Sequence, residues 1–439
     1  MATIDIIGIY RKNLSQNLRG ANPGRPGRQP AREPDREKNP VPFKRDPDRV
    51  SGEVENPGRR AAAHRQGCFG WGERVECPRN DAKKSKLAAQ MKISAKTSGE
   101  HWLSCVAAPP PLPVPLSKQE WDMQRPRIRQ QLWSLLGQIP PVPPQTHAVT
   151  LSRQVRNGCV VEKIQFDNGA GALVPGYLLL PRTFSGTRPG ILYHHWHGGE
   201  YDLGKEELFR HDHTPEIPGE ALAKRGYAVL AIDAYGFGER RGRGPGGAAE
   251  TDAAEELSAS KFNLWFGRSL WGMIVRDDLM ALNYLTSRPE VDAGRIGVTG
   301  MSMGATRSWW LMALDDRIQA GVAVACLTRY QNLLQRQALS AHGIYYYVPG
   351  FLNHFDTEAV LALAAPRPLL CMTGDQDPGS PLAGVEEIGR IVSAVYRLHD
   401  LEANFVNQIY PGLGHVYTPE MWGRMLEWMD RNLVAHSRT

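Results

Sequence analysis

A serine between two glycines carries the clearest chemical signal in the sequence. Gly300, Ser302 and Gly304 form the pattern G-x-S-x-G within IGVTGMSMGATRSWW. An apolar run precedes the serine and helical spacing follows it. This context predicts a tight strand-to-helix turn that exposes the hydroxyl, with glycines where a Cβ would clash. Ser302 is therefore the predicted nucleophile of an acyl-transfer reaction.

A serine hydroxyl needs a base to take its proton and a third group to orient that base. His415 is the predicted base, because it follows an apolar run in YPGLGHVYTPEMW and precedes a helical one. Asp375 and Asp377 both follow the run PLLCMT. The spacing G-x-x-D from Gly374 favours Asp377 as the orienting acid, and Asp375 is the alternative. The resulting order along the chain, serine, acid and histidine, is one that catalytic triads use.

An anionic tetrahedral intermediate also needs hydrogen-bond donors that are in place before the reaction. The backbone N–H of Met303, the residue after the nucleophile, is one predicted donor. The segment HHWHGGEYDLG follows an earlier predicted strand and offers the second. We expect this donor to be Gly199, with Gly198 and Glu200 as its alternatives.

The histidines near this segment raise the question of a metal site. A tetrahedral zinc site needs rigidly spaced ligands, such as those of H-E-x-x-H, and the sequence has no such motif. We therefore predict no metal and no cofactor. The histidines concerned, which we expect to pack behind the glycine turn, are His194, His195, His197, His211 and His213.

The elements that must position these groups are short apolar strands that alternate with helical segments. This alternation predicts an α/β fold with a mostly parallel central sheet and helices on both faces. An antiparallel hairpin is expected over residues 159–166 and 172–180. The other predicted strands are 190–194, 228–233, 295–299, 318–326, 368–373 and 405–410, and the predicted helices include 218–225, 276–286 and 303–314.

An insert over residues 241–271 separates two of these strands. A loop of this length in a compact domain is usually functional. Its aromatic side chains either wall a substrate pocket or pack a helix onto the body, and the tyrosine-rich segment 342–355 has the same two interpretations. The aromatic residues of the insert are Phe262, Trp265, Phe266 and Trp271.

Composition divides the 439 residues into three parts: a basic tail (1–106) predicted to be disordered, a Pro-rich connector with an N-terminal helix (107–146), and a catalytic domain (147–439). Residues 1–100 carry a net charge of +9 and the remainder −3. Such a polar, Pro-rich tail buries too little apolar surface to fold. It is either an upstream extension, with Met91 as a later start, or a basic interaction arm. The expected helix begins with Ser117 and Glu120 as a capping box, and Pro126 should kink or split it.

The same features predict the environment and partners of the protein. Six cysteines without a CxxC motif indicate reduced thiols and a cytoplasmic location. No apolar stretch reaches the roughly 18 residues of a membrane span, and no nucleic-acid-binding motif occurs. We expect a small-molecule ester as the partner, no membrane and no nucleic acid, and the sequence leaves a homo-oligomer open.

Residues 150–435 resemble the dienelactone hydrolase and acetyl xylan esterase branch of the α/β-hydrolases. The matching segments are ILYHHWHGG, YAVLAIDAYGFGER, RIGVTGMSMGATRSWW, APRPLLCMTGDQDP and GHVYTPEMW. This resemblance implies the α/β-hydrolase fold, a serine esterase and cofactor-free hydrolysis of carboxylic esters, often short acyl or acetyl groups on carbohydrates. Dienelactone hydrolases themselves use a cysteine nucleophile, and this sequence has Ser302 instead.

Two other functions fit the same motifs. Serine peptidases similar to prolyl oligopeptidase share the G-x-S-x-G turn and the order serine, acid and histidine along the chain. They normally carry a propeller domain in front of the catalytic domain. A non-catalytic α/β-hydrolase relative that binds a ligand or a partner would typically have lost one triad residue. All three positions of the triad are filled here, which favours the enzyme.

Overall fold

The structure, a computed structural model, describes most of the chain from residue 100 onward: residues 100–102, 104, 110–183, 186–325 and 327–434. The tail predicted over residues 1–106 lies outside the described residues, apart from 100–102 and 104, which are helical. The two explanations of the tail therefore stay predictions. Among the described residues, no helix is both long and apolar enough to cross a membrane.

A nine-stranded sheet forms the centre of the described chain. In the sheet the strands follow the order β1-β2-β3-β5-β4-β6-β7-β8-β9. Strands β4 to β9 are parallel to one another, and β1, β2 and β3 form antiparallel pairs at one edge. This is the mostly parallel α/β-hydrolase arrangement that the sequence predicts. The strands are β1 (Val149–Arg156), β2 (Cys159–Asp167), β3 (Leu173–Pro181), β4 (Arg188–His194), β5 (Ala228–Ile232), β6 (Val291–Met301), β7 (Ile318–Val324), β8 (Leu369–Gly374) and β9 (Phe405–Tyr410).

Helices cover both faces of this sheet. Successive strand residues point to opposite faces, so Leu230 of β5 packs in one apolar cluster while Val229 packs in the other. Trp309 and Leu132 belong to the first cluster, and Trp422 belongs to the second. The helices are α1 (Lys118–Leu136), α2 (Pro218–Lys224), α3 (Asp252–Trp265), α4 (Leu270–Ser287), α5 (Met303–Leu314), α6 (Tyr330–Gln335), α7 (Thr357–Ala362), α8 (Leu382–Arg397) and α9 (Pro419–Met429).

Helix α1 runs unbroken through Pro126, so the expectation that the proline could split it is wrong. Ser117 caps it by accepting a hydrogen bond from the Glu120 N–H. Trp121 and Leu132 are fully buried in the main core on either side of the proline. This tertiary packing offsets the hydrogen bond that a proline removes from a helix. The helix of the N-terminal connector is therefore part of the body.

Strand β1 was not predicted from the sequence. All eight of its residues are exposed, and its apolar residues, Val149, Leu151 and Val155, form an alternation that Arg153 interrupts. Its backbone hydrogen bonds with β2 define it instead. Helix α4 also begins six residues before the predicted start, because Ser269 caps its first turn by accepting from the Gly272 N–H.

A buried ion pair joins two of the helices behind the sheet. Arg307 of α5 makes two hydrogen bonds to Asp278 of α4, at 3.0 and 2.6 Å, and neither side chain is exposed. Two parallel N–H···O contacts are the geometry in which arginine and a carboxylate interact most strongly. The pair fixes the helix that begins directly after Ser302.

Replacing Arg307 by Met should destabilise the protein by about 3–5 kcal/mol, because it leaves the Asp278 carboxylate buried without a counter-charge. The free energy of unfolding in urea measures this loss. Adding Asp278→Leu should restore part of it. Lys118→Met is the matched control, since it breaks an exposed ion pair with Asp122 and should have little effect. Equal losses for the two single variants would contradict the assignment.

Candidate active site

Ser302 lies at the tight turn between β6 and α5. Its backbone has φ 58° and ψ −118°, a conformation that residues with a side chain rarely adopt. The Ser302 N–H donates to the Val324 carbonyl of β7 at 2.8 Å. A Cβ on Gly300 or on Gly304 would collide with the carbonyl oxygen of His194. The two glycines of the motif therefore let the end of β4 pack directly against the turn.

His415 and Asp377 lie in contact at the same edge of the sheet. His415 Nδ1 is 2.8 Å from Asp377 Oδ2. The acid is almost fully buried and the histidine is one-third exposed. A carboxylate accepts the proton of Nδ1, which leaves Nε2 of a neutral imidazole with a free electron pair.

Asp375, the alternative acid, has a different role. Its Oδ1 accepts the Gly412 N–H at 2.8 Å and so holds the loop before His415. Asp377 Oδ1 instead accepts the Gly379 N–H at 2.9 Å, which fixes the carboxylate that faces His415. His342 Nε2 lies 2.9 Å from the Gly379 carbonyl oxygen. This second contact holds the same turn from the other side.

A cleft of about 350 Å³ opens beside His415. Met301, the residue directly before Ser302, lines it together with His415. Aromatic rings form much of its remaining wall. Trp196 stacks on His213 with their ring centres 3.6 Å apart, and Tyr417 lies beside them.

The turn after β4 contains the glycines expected to donate to an oxyanion. Gly198 and Gly199 have φ values of 50° and 80°, which favour glycine. The Gly199 N–H donates to His197 Nδ1 at 3.0 Å, and the Glu200 N–H donates to the His197 carbonyl at 2.8 Å. Both of these donors are thus engaged within the turn. Met303 is the first residue of α5, where a backbone N–H points out of the helix.

Comparison with known proteins places the chain in a family. A model described as "Abhydrolase family" matches residues 112–411. The chain belongs to this abhydrolase family. It is 40% identical over 271 residues to the Bacillus subtilis protein YtaP, named as a hydrolase, an alignment that spans 61% of this chain and 86% of YtaP.

Two further similarities agree with the resemblance seen in the sequence. A Yersinia pestis protein named as a carboxymethylenebutenolidase is 22% identical over 278 residues, which span 60% of this chain and 86% of that protein. A crystal structure of a Bacteroides fragilis protein named as an acetyl xylan esterase superposes with a TM-score of 0.57. That superposition covers 79% of this chain and 92% of the other at 20% identity. It shows a shared fold.

In this abhydrolase, a buried carboxyl group binds the backbone at the start of the turn after β4. Glu207 accepts the Trp196 N–H at 2.8 Å and contacts the Tyr193 hydroxyl at 2.5 Å. Burial raises the pKa of Glu207 to about 7 from its ordinary 4.5. No sequence motif marks Glu207, which lies in the stretch GKEELF between two other charged residues and an apolar pair.

The histidines of this region have separate structural roles. Burial lowers the pKa of His194 and His195 well below the usual range, so both are neutral. His194 Nδ1 lies 2.9 Å from the Ser308 hydroxyl, and His195 Nε2 accepts the Ala234 N–H. Among the described residues, no three His, Cys, Asp or Glu side chains come together as a metal site. The described cysteines, Cys159 and Cys371, are buried free thiols.

The aromatic residues of the insert are divided between two surroundings. Trp271 is fully buried and packs against Trp310 and Tyr345, so it fills the core. Trp265 is 91% exposed at the end of α3, and Phe262 and Phe266 are also exposed. Tyr345, from the tyrosine-rich segment, contacts the glycine turn by stacking on His197.

Replacing Glu207 by Gln should change how stability depends on pH. Because its folded pKa is raised, ionisation of Glu207 destabilises the folded state progressively as pH rises from about 4.5 to about 7. The amide imitates the protonated acid and escapes this cost. The variant should therefore gain stability relative to the wild type between pH 5 and pH 8, by up to about 3 kcal/mol. Urea unfolding at both pH values measures the gain, and an equal difference at both would contradict it.

Proposed function

We propose that this abhydrolase is a serine hydrolase that cleaves carboxylic esters through a covalent acyl-enzyme. Ser302 is the nucleophile, His415 the general base and Asp377 the acid that orients the base. The observation that carries the proposal is the contact between His415 Nδ1 and the buried Asp377 carboxylate at 2.8 Å. It fixes the tautomer whose free Nε2 can take a proton, beside a cleft that is lined by His415 and by Met301, the residue before Ser302.

The reaction follows from these roles. His415 Nε2 takes the Ser302 hydroxyl proton as the serine oxygen bonds to the ester carbonyl carbon. The tetrahedral intermediate collapses, its C–O bond to the alcohol breaks, and the alcohol leaves with the proton from His415. Water then attacks the acyl-enzyme by the same route and releases the carboxylic acid. Throughout, the Asp377 carboxylate stabilises the imidazolium that forms.

The negative oxygen of the intermediate requires its own donors. Met303 N–H is the first proposed donor, supported by its place at the N-terminus of α5, where the helix dipole favours negative charge. The glycine turn at 198–199 is proposed to supply the second. Gly198 is favoured within it, because the Gly199 N–H donates to His197.

The proposed substrates are short acyl esters, acetyl esters above all, with a carbohydrate as the alcohol. The shared fold with a protein named as an acetyl xylan esterase supports this choice. So does the aromatic wall of the cleft, because Trp196 and Tyr417 offer apolar faces of the kind that pack against sugar rings. No metal or other cofactor is required for this chemistry.

Ser302→Ala should abolish hydrolysis of p-nitrophenyl esters from acetate to octanoate, because no other group in the proposed triad can form the acyl-enzyme. The fall in kcat should be about 10⁴- to 10⁶-fold. The chain length that the wild type prefers then defines the acyl pocket. Equal activity of the two proteins, or none in either on any ester, would overturn the proposed function.

Asp377→Asn and Asp375→Asn are a matched pair that tests the acid. Asp377→Asn should lower kcat by about 10²- to 10⁴-fold, because an amide no longer stabilises the imidazolium or selects its tautomer. Asp375→Asn should leave kcat within about threefold, since its amide oxygen still accepts the Gly412 N–H. The reverse ranking in steady-state kinetics would assign the role to Asp375.

A further inference from the structure

A histidine connects the glycine turn of the proposed oxyanion site to the insert between β5 and α4 by hydrogen bonds. His197 Nδ1 accepts the Gly199 N–H at 3.0 Å, so this nitrogen carries a lone pair. The proton of the neutral ring is then on Nε2. Nε2 lies 2.7 Å from Oε2 of Glu256, which belongs to helix α3 of the insert. A line of hydrogen bonds thus runs from the turn, through the imidazole, to a carboxylate 59 residues further along the chain.

Contacts from several segments of the chain hold the Glu256 carboxylate in place. It is 7% exposed. Its Oε2 also accepts the Tyr201 hydroxyl at 3.0 Å, and its Oε1 lies 3.4 Å from the Tyr345 N–H. A Cβ on Gly343 would come within 2.6 Å of Oε1. The carboxylate therefore joins three segments: the turn after β4, helix α3 and the tyrosine-rich segment.

Aromatic rings hold the imidazole in the plane that both hydrogen bonds require. The Tyr345 ring stacks on His197 with centres 4.9 Å apart and an angle of 19° between the planes. Phe237 and Tyr201 meet it edge-on at 5.1 and 5.0 Å. Such packing restricts rotation of the ring, so the position of Nδ1 is set by its surroundings.

We infer that His197 and Glu256 are positioning residues for the oxyanion site, with Glu256 fixing His197 and His197 fixing the glycine turn. The inference rests on the proposed function, because it assigns these residues to stabilisation of the tetrahedral intermediate. They act through backbone geometry and do not touch the substrate. A displacement of about 1 Å in a group that must meet a developing charge costs up to about 10²-fold in rate. The insert is then required for turnover even though its exposed aromatic end lies elsewhere.

Glu256→Ala should lower kcat by about 10- to 100-fold and change KM by less than about threefold, because only the transition state carries the oxyanion. Glu256→Gln should retain most activity, since its amide oxygen still accepts from His197 and Tyr201. Glu255→Ala is the matched control. Glu255 is the neighbouring buried acid on α3, and it binds the backbone N–H groups of residues 242–244.

His197→Asn separates the two hydrogen bonds of the imidazole. The Asn side-chain oxygen can accept the N–H two residues further on, which keeps the bond to Gly199, but Asn is too short to reach Glu256. We expect His197→Asn to lose as much kcat as Glu256→Ala, and the double variant to lose no more than either. Additive losses would overturn the connection between the two residues.

Hydrogen–deuterium exchange of the peptide spanning residues 196–203 tests whether Glu256 holds the glycine turn, without relying on activity. Exchange should be faster in Glu256→Ala and equal to wild type in Glu256→Gln and Glu255→Ala. Unchanged exchange in Glu256→Ala, equal kcat losses for Glu255→Ala and Glu256→Ala, or a change confined to KM would each overturn the inference. If the wild type cleaves no ester, the proposed function has failed instead, and the exchange data alone decide whether Glu256 holds the turn.

Discussion

The close approach of the His194 carbonyl to the turn at Ser302 is the constraint on which the rest of the site depends. It is possible only because Gly300 and Gly304 have no Cβ. The serine between them has a backbone conformation that costs free energy. Its surroundings enforce that conformation through the Val324 carbonyl on β7 and the buried pair between Arg307 and Asp278. The strained turn is therefore held by residues from β4, β7 and α4 as well as by its own motif.

Much of this arrangement could be predicted because local sequence determines it. The spacing of the glycines around Ser302, with an apolar run before it and helical spacing after it, predicts the turn. The G-x-x-D spacing favoured Asp377, and Asp377 is the acid that contacts His415. Apolar runs marked β4, β5, β7 and β8, since strands buried on both faces are mostly apolar. The observed and predicted bounds of these strands differ mainly at their ends.

The groups that the sequence did not reveal depend on contacts between distant segments. Glu207 and Glu256 look like surface acids in the segments KEELF and AAEELS, and only the fold buries them. Strand β1 is exposed throughout and has only three apolar residues, so its backbone pairing with β2 defines it. Pro126 was expected to kink or split a helix, and the helix continues through it with Trp121 and Leu132 buried in the core on either side. In each case tertiary packing outweighed a local preference.

Among the described strands, β1 lies at the edge of the sheet, and a strand in this position presents backbone groups of the kind that recruits a strand from another molecule. Two of its features oppose such pairing. The register of β1 against β2 shifts between Thr150 and Ser152, and bulges of this kind twist an edge away from a flat partner. Arg153 and Arg156 place positive charge along the same edge. A second copy of β1 laid against it would bring positive charges near one another, and charge on an edge strand is one of the features that oppose edge-to-edge aggregation.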